Sequence, residues 1–277
     1  MNKRLMFSAA LVMALLSANA QKRAFTIEDL YRVKGLSSVS LSPDGKTVCY
    51  TASSSDLKSQ KSGSDIYIMN ADGSHTKALT EDGKSSSAVW SKDGKSIFFT
   101  NNEKGTAQIF RMDLTTCETE QVTDYELGIG SPVISPDERY IAFTAEVYPD
   151  LGADAKANKA RMEKKEQGPV QAHIADKLLY RHWTSYNDGR CNHLILFDTQ
   201  TKTYKDLTPG NYSLIFVVGG GITYQFSPDS KEICFVSNHD EHQEASTNAD
   251  LWTVSVNGGE PVCITKENKA WDGTPAY

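Results

Sequence analysis

The chain has 277 residues, of which 39% are hydrophobic and 23% are charged, and its formal net charge is −6. These values are typical of a globular protein that is long enough to bury a core. The acidic balance argues against nucleic acid as a partner, because binding to phosphates requires a basic face.

The beginning of the chain has the three parts of a secretory signal. The basic pair Lys3-Arg4 precedes an apolar run over Leu5–Leu16, and Ala18–Ala20 places small residues where signal peptidase reads them. This pattern predicts a signal peptide over residues 1–20. The apolar run is shorter than the roughly 20 residues that a membrane anchor needs. We therefore expect residues 21–277 to be periplasmic or secreted, without membrane contact after cleavage.

A five-residue turn recurs along the rest of the chain. Ser42–Lys46 reads Ser-Pro-Asp-Gly-Lys, and related turns begin at Ser91, Ser135 and Ser227. Proline fixes φ, Asp caps the turn with its side chain, and Gly or its substitute takes the unusual backbone angle. Apolar strands follow each turn, and each unit closes on a threonine, namely Thr80, Thr123, Thr208 and Thr265.

The repeat has the length and strand content of propeller blades. Units near 45 residues with four short strands are typical of this architecture. An open β-sandwich is the alternative, and four copies in one order argue against it. The sequence predicts an all-β fold over residues 21–277, a partial β-propeller of about four blades. Residues 271–277 resemble the start of a fifth blade, so we expect the sequence to stop inside a blade.

The third repeat is longer than the others and contains a helical insertion at about residues 146–192. From Ser135 to Thr208 it spans 73 residues, whereas the first and fourth repeats span 38. A polar helix is predicted over 153–167 and a second, shorter helix over 171–179. Insertions in repeat proteins usually emerge on one face, which is often the binding face.

The residues that close this insertion are the candidate substrate-binding site. The planar fork of Arg181 suits a peptide carboxylate or carbonyl, and Trp183 could pack on a substrate beside His182. The alternative is that Trp183 anchors the arm to its blade while Arg181 pairs with an acid. His239 and His242 lack the spacing of a helical zinc motif, so neither a metal nor a cofactor is predicted.

Several segments resemble one branch of a known family. The turns alone are similar to the WD40-like repeats of TolB-type periplasmic propellers and of the S9 serine peptidases, the prolyl oligopeptidase type. Lys177–Trp183, Ser237–Asp240 and Ala270–Pro275 resemble signatures of its dipeptidyl peptidase 5 and acylaminoacyl peptidase branch. The resemblance covers essentially residues 24–277.

The resemblance implies a propeller that is followed by an α/β-hydrolase domain with a Ser, Asp and His triad. Such an enzyme cleaves peptides near a free or acylated amino terminus, and its propeller restricts access. The full-length enzyme is a candidate homodimer, and the peptide substrate would be bound through the catalytic domain.

The present sequence contains no Gly-x-Ser-x-Gly elbow, so that domain is absent from it and no catalytic residue is assigned. We therefore expect that this chain alone is not a catalyst. A TolB-like periplasmic propeller that binds proteins without enzymatic activity is the alternative.

Overall fold

The computed structural model describes residues 23–176, 178, 180–214 and 224–277. The predicted signal peptide lies outside these residues. These described residues contain two α-helices, α1 (Ile27–Leu30) and α2 (Ala155–Glu166), with a 3-10 turn at Gln243–Ala245. The strands are β1 Gly35–Leu41, β2 Thr47–Asp56, β3 Lys61–Asn70, β4 Lys77–Ala78, β5 Ser85–Trp90, β6 Ser96–Asn101, β7 Gln108–Asp113, β8 Thr119–Gln121, β9 Gly130–Ile134, β10 Tyr140–Val147, β11 Arg181–His182, β12 Ser185–Tyr186, β13 Cys191–Asp198, β14 Thr203–Asp206, β15 Tyr224–Phe226, β16 Glu232–Ser237, β17 Asp250–Ser255 and β18 Val262–Cys263.

Sixteen of these strands form four antiparallel blades. The strand orders are β1-β2-β3-β4, β5-β6-β7-β8, β9-β10-β13-β14 and β15-β16-β17-β18, so each blade is a meander of sequential neighbours. The predicted all-β, propeller-type architecture is confirmed. Beyond the fourth blade, Trp271 forms an isolated parallel bridge with Ala249, and residues 272–277 form no strand.

The repeated turn is built as the sequence predicts. In the first blade, the Ser42 hydroxyl donates to Asp44 Oδ1 at 2.7 Å and accepts the backbone N–H of Thr47 at 2.9 Å. Serine–aspartate pairs bond in the same way in the other three blades. The fourth turn position has a positive φ in every copy, at Gly45, Gly94, Glu138 and Ser230.

The closing threonines hold the outer part of each blade. Each hydroxyl accepts a backbone N–H of the third strand, as Thr80 does from Ile66 at 3.0 Å and Thr123 does from Ile109 at 2.9 Å. Thr208 and Thr265 make the equivalent contact at 2.9 Å. Because the fourth strands are short, they leave some N–H groups of the third strand without a backbone acceptor. The threonine hydroxyl accepts one of these groups, which explains why threonine recurs there.

Three hydrophobic clusters fill the spaces between blades. The first joins blades 1 and 2 through residues such as Cys49, Ile66 and Phe99, which are at most 4% exposed. The second joins blades 2 and 3, and the third joins blades 3 and 4. Because each blade buries its faces against its neighbours, the fold is held by contacts between adjacent repeats.

Among its described residues, the insertion in blade 3 contains one helix and not two. Helix α2 begins after Asp154, whose carboxylate accepts the N–H of Ala157 at 3.0 Å. The predicted second helix over 171–179 is wrong, because residues 171–176 and 178 are non-helical and exposed. So short a segment needs packing to become helical. Within the described ranges, no helix is long and apolar enough to cross a bilayer.

Candidate functional site: the arm-side rim

The meander divides the propeller into two rims. The Ser-x-Asp turns join first to second strands and lie at one end of the blades, while connections from second to third strands lie at the other. The insertion leaves blade 3 between β10 and β13, so it belongs to the second end. We call residues 148–190 the arm and this end of the propeller the arm rim. The β2–β3 and β6–β7 connections and the loop 238–249 share it.

A buried asparagine fixes the base of the arm. Asn158 on α2 has no exposed surface, and its Oδ1 accepts the N–H of Tyr148 at 2.6 Å. Its Nδ2 donates to the carbonyls of Gly152 at 3.0 Å and Asp154 at 2.8 Å. One side chain therefore ties the helix to the end of β10.

Charged contacts complete the base. Arg161 binds both oxygens of Asp150 at 2.7 Å and lies 4.7 Å from the ring centroid of Tyr148. Lys159 reaches Glu126, in the connection between blades 2 and 3, at 3.6 Å. Arg190 bonds to Asp188 at 3.0 Å and pairs with Glu146 at 3.1 Å, in addition to approaching Met162. The arm is thus attached to blade 3 and to the connection that enters it from blade 2.

The predicted site residues lie at the tip of the arm. Arg181 and His182 form strand β11, which pairs with β12 in a small hairpin. Trp183 lies in the hairpin turn with φ of 49° and is 84% exposed. Trp183 is therefore not buried against the blade. The structure brings the three residues together on one hairpin, in which Arg181 and Trp183 are exposed, and their role in binding remains a prediction.

The tip exposes several large apolar side chains. Its large side chains that are between 43% and 88% exposed are Val170, Ile174, Leu178, Tyr180, Trp183 and Tyr186. The Tyr186 ring stacks on His173 with centroids 3.9 Å apart. Contiguous exposed apolar surface commonly marks a site of interaction, so the tip has the chemistry of a contact surface.

A buried ion pair below the arm was missed by the sequence analysis. His193 has no exposed surface, and its Nδ1 lies 2.7 Å from Asp206 Oδ2 while its Nε2 lies 2.9 Å from the carbonyl of Gly210. Both partners are acceptors, so both ring nitrogens must carry protons and the imidazole is a cation. The available signal was positional, because the equivalent residues of the other third strands are polar: Asp65, Gln108 and Asp250 each accept the hydroxyl of the closing threonine of their blade.

The charge of His193 makes stability depend on pH. Burial opposes the cation, but the hydrogen bonds to Asp206, Cys191 and Gly210 and the charge of Asp206 prevail and raise the pKa of His193 to about 9. The stabilisation is complete below the unfolded pKa near 6.5 and is lost as the pH rises to about 9. We expect the free energy of unfolding to fall over this window by at most about 1.4 kcal/mol per pH unit. Urea titrations at pH 6.5, 7.5 and 9 measure this, and a flat profile would contradict the cationic assignment.

A three-ring stack organises blade 4 at the same rim. His239 lies between Tyr212 and Trp252, with centroids at 3.8 Å and 3.9 Å. Burial lowers the pKa of His239, against the opposing charge of Asp250. His242 instead contacts Glu244 at 3.2 Å. The two histidines therefore have separate surroundings, and His239 is a packing residue.

Two family models match the chain. The model described as the TolB beta propeller domain matches residues 20–167, and the dipeptidyl peptidase IV (DPP IV) N-terminal region matches residues 153–276. Dipeptidyl-peptidase 5 of Porphyromonas gingivalis is 28% identical over 249 residues, which cover 87% of this chain and 35% of that protein. The Porphyromonas endodontalis protein of the same name is 25% identical over 93% of this chain and 37% of its own length. The chain thus spans about a third of the length of these curated relatives.

Solved structures agree on the fold. An acylaminoacyl peptidase in complex with Z-Gly-Gly-Phe-chloromethyl ketone has a TM-score of 0.60 at 18% identity, over 85% of this chain and 33% of that one. Pyrococcus horikoshii acylaminoacyl peptidase has a TM-score of 0.60 at 19% identity, over 87% and 34%. The solved structures show the propeller fold, and the family models show that the chain belongs to the TolB β-propeller domain family and, with the curated relatives, support an amino-terminal propeller of the S9 peptidase type.

Proposed function

We propose that this chain is the substrate-gating propeller of an exported S9 serine exopeptidase that acts on peptides near their amino terminus. The observation that carries the proposal is the arm, which is tied at its base to the end of β10 and to Glu126 and has an exposed aromatic tip. The similarity to dipeptidyl-peptidase 5 supports the peptidase part of the proposal. Export is supported by the three-part pattern in residues 1–20.

In this proposal the propeller contributes binding and exclusion and no bond breaking. Arg181 offers a fork of donors to a peptide carbonyl or carboxylate, and Trp183 offers a large face for packing. The nucleophile, base and oxyanion donors would come from a hydrolase domain in the complete protein. Binding energy from such remote contacts can raise the rate of a reaction by orienting the substrate.

The complete gene product is the protein to assay. We expect it to react with a fluorophosphonate probe for active-site serine and to release dipeptides or acylated residues from fluorogenic peptides, whereas the present chain does neither. A complete product that fails with the probe and with every peptide would overturn the proposal. Recovery of one specific envelope protein in place of activity would favour the TolB-like alternative.

Variants of the tip test gating separately. In the complete enzyme, Arg181→Ala and Trp183→Ala are each expected to lower kcat/KM for a tetrapeptide about tenfold, which corresponds to about 1.4 kcal/mol of lost binding. Hydrolysis of a small p-nitrophenyl ester should not change, because the ester does not reach the arm. Thr184→Ala in the same turn is the matched control. Equal effects on peptide and ester would remove the arm from substrate selection.

A further inference from the structure

Two segments of the chain run side by side at the arm rim of blade 4. Ala249, just before β17, forms a parallel bridge with Trp271, and its carbonyl accepts the N–H of Asp272 at 2.8 Å. Side chains alternate between the two faces of paired segments. In this register Asp250 lies beside Asp272, on the face opposite to the side chains of Ala249 and Trp271. We call Asp250 and Asp272 the carboxylate pair.

Asn248 lies on the same face as the carboxylate pair, two residues before Asp250. Its side chain is buried, with 9% of the residue exposed, and its Nδ2 donates to Asp250 Oδ2 at 3.3 Å. This bond aims the carboxamide at the pair. Its Oδ1 is buried and has no hydrogen-bond partner among the described residues. A buried carbonyl oxygen without a partner is costly, so it indicates a ligand that the described chain does not supply.

Asp272 Oδ2 is a second buried oxygen without a partner in the described part of the chain. The other oxygen of Asp272 accepts the Nδ2 of Asn268 at 2.7 Å, and Asp250 Oδ1 accepts the hydroxyl of Thr265 at 3.2 Å. These donors are neutral.

The carboxylate pair has no cationic side chain to balance it. No lysine or arginine of the described ranges forms an ion pair with Asp250 or Asp272. His239 interacts with Asp250 through charge but forms no hydrogen bond with it, since its ring is held in the stack with Tyr212 and Trp252. Like charges side by side on neighbouring strands repel each other, so the pair favours a bound cation.

We propose that Asn248, Asp250 and Asp272 bind a divalent cation, and specifically calcium. Carboxylate and carboxamide oxygens are ligands that Ca²⁺ accepts, in flexible geometry and together with waters, whereas Mg²⁺ demands a near-ideal octahedron. Among the described residues, no third carboxylate, histidine or cysteine joins the pair. Waters would therefore complete the coordination, and we expect the weak affinity of extracellular calcium modules, with a Kd of about 0.1–1 mM.

The bound ion would hold two segments together. One is the end of the loop 238–249, which belongs to the arm rim, and the other is the segment 268–272. Because an ion that binds the folded chain stabilises it by mass action, calcium should raise the midpoint of thermal unfolding.

Metal titrations of the purified chain, after treatment with EDTA, test the site without catalysis, so the outcome is independent of the peptidase proposal. Trp271 directly precedes Asp272, so terbium(III) bound there should luminesce when tryptophan is excited. We expect saturable terbium binding that calcium displaces, with magnesium about tenfold less effective. Terbium that does not saturate, or a thermal midpoint that calcium leaves unchanged, would overturn the proposal.

Two variants act on the oxygens without a partner. Asp272→Asn removes one charge and keeps an acceptor for Asn268, and we expect it to weaken calcium binding about tenfold or more. Asn248→Asp adds a charge at the buried oxygen, so it should bind calcium more tightly and gain a larger rise in the thermal midpoint. A site that holds only water would show neither effect.

Glu267→Gln is the matched control, because Glu267 is an exposed carboxylate of the neighbouring turn. Its calcium affinity should equal that of the parent. Equal affinities in the parent and Asp272→Asn would overturn the site, and so would equal losses in Asp272→Asn and Glu267→Gln, which would indicate binding to general surface charge.

Discussion

Replacement of His193 by leucine is expected to destabilise the protein by about 3–5 kcal/mol. The substitution leaves the Asp206 carboxylate, whose side chain is 10% exposed, without its cationic partner. It also removes the bond to the Gly210 carbonyl. Removal of one member of a buried ion pair is costly because the remaining charge has lost both its partner and its water.

The measurement is urea unfolding followed by tryptophan fluorescence, with His242→Leu as the control. His242 is an exposed histidine, so its replacement should change the free energy of unfolding by no more than about 0.5 kcal/mol. His193→Gln is the informative partner, since Gln108 fills the same position in blade 2. We expect a smaller loss of stability and no pH dependence between 6.5 and 9. A leucine variant as stable as the parent would contradict the buried ion pair.

Replacement of Asn158 by leucine is expected to release the base of the arm. The variant loses three hydrogen bonds and leaves the buried N–H of Tyr148 without an acceptor, at a cost of about 3 kcal/mol. This loss mainly lowers the free energy of local unfolding of the arm, because α2 is joined to the blades through few contacts. Thermolysin should therefore cleave between residues 155 and 166 about 100-fold faster when opening precedes cleavage.

Glu163→Ala is the matched control for this experiment. Glu163 lies on an exposed face of the same helix, so its removal should leave cleavage of the arm unchanged. Unfolding of the blades is followed separately by urea titration, where we expect Asn158→Leu to stay close to the parent. Equal cleavage rates in the parent and in Asn158→Leu would show that Asn158 does not hold the arm.

The turns and blades could be predicted because their causes are local. Ser42, Asp44 and Gly45 make a turn whose hydrogen bonds close within five residues, and the same spacing recurs three times. The predicted second helix failed because its outcome depends on packing. Residues 171–176 are exposed, so no packing against a blade stabilises a short helix there, and composition alone predicted the wrong structure.

The sequence by itself determined the number of repeats, the turn chemistry, the place of the insertion and the family type. Only the tertiary structure decided which side chains meet. His193 becomes a cation because strand register brings Asp206 and Gly210 to its two nitrogens. These two partners cannot be identified from the sequence around His193. Burial and charge pairing are properties of surfaces in contact, and those surfaces form only after the blades assemble.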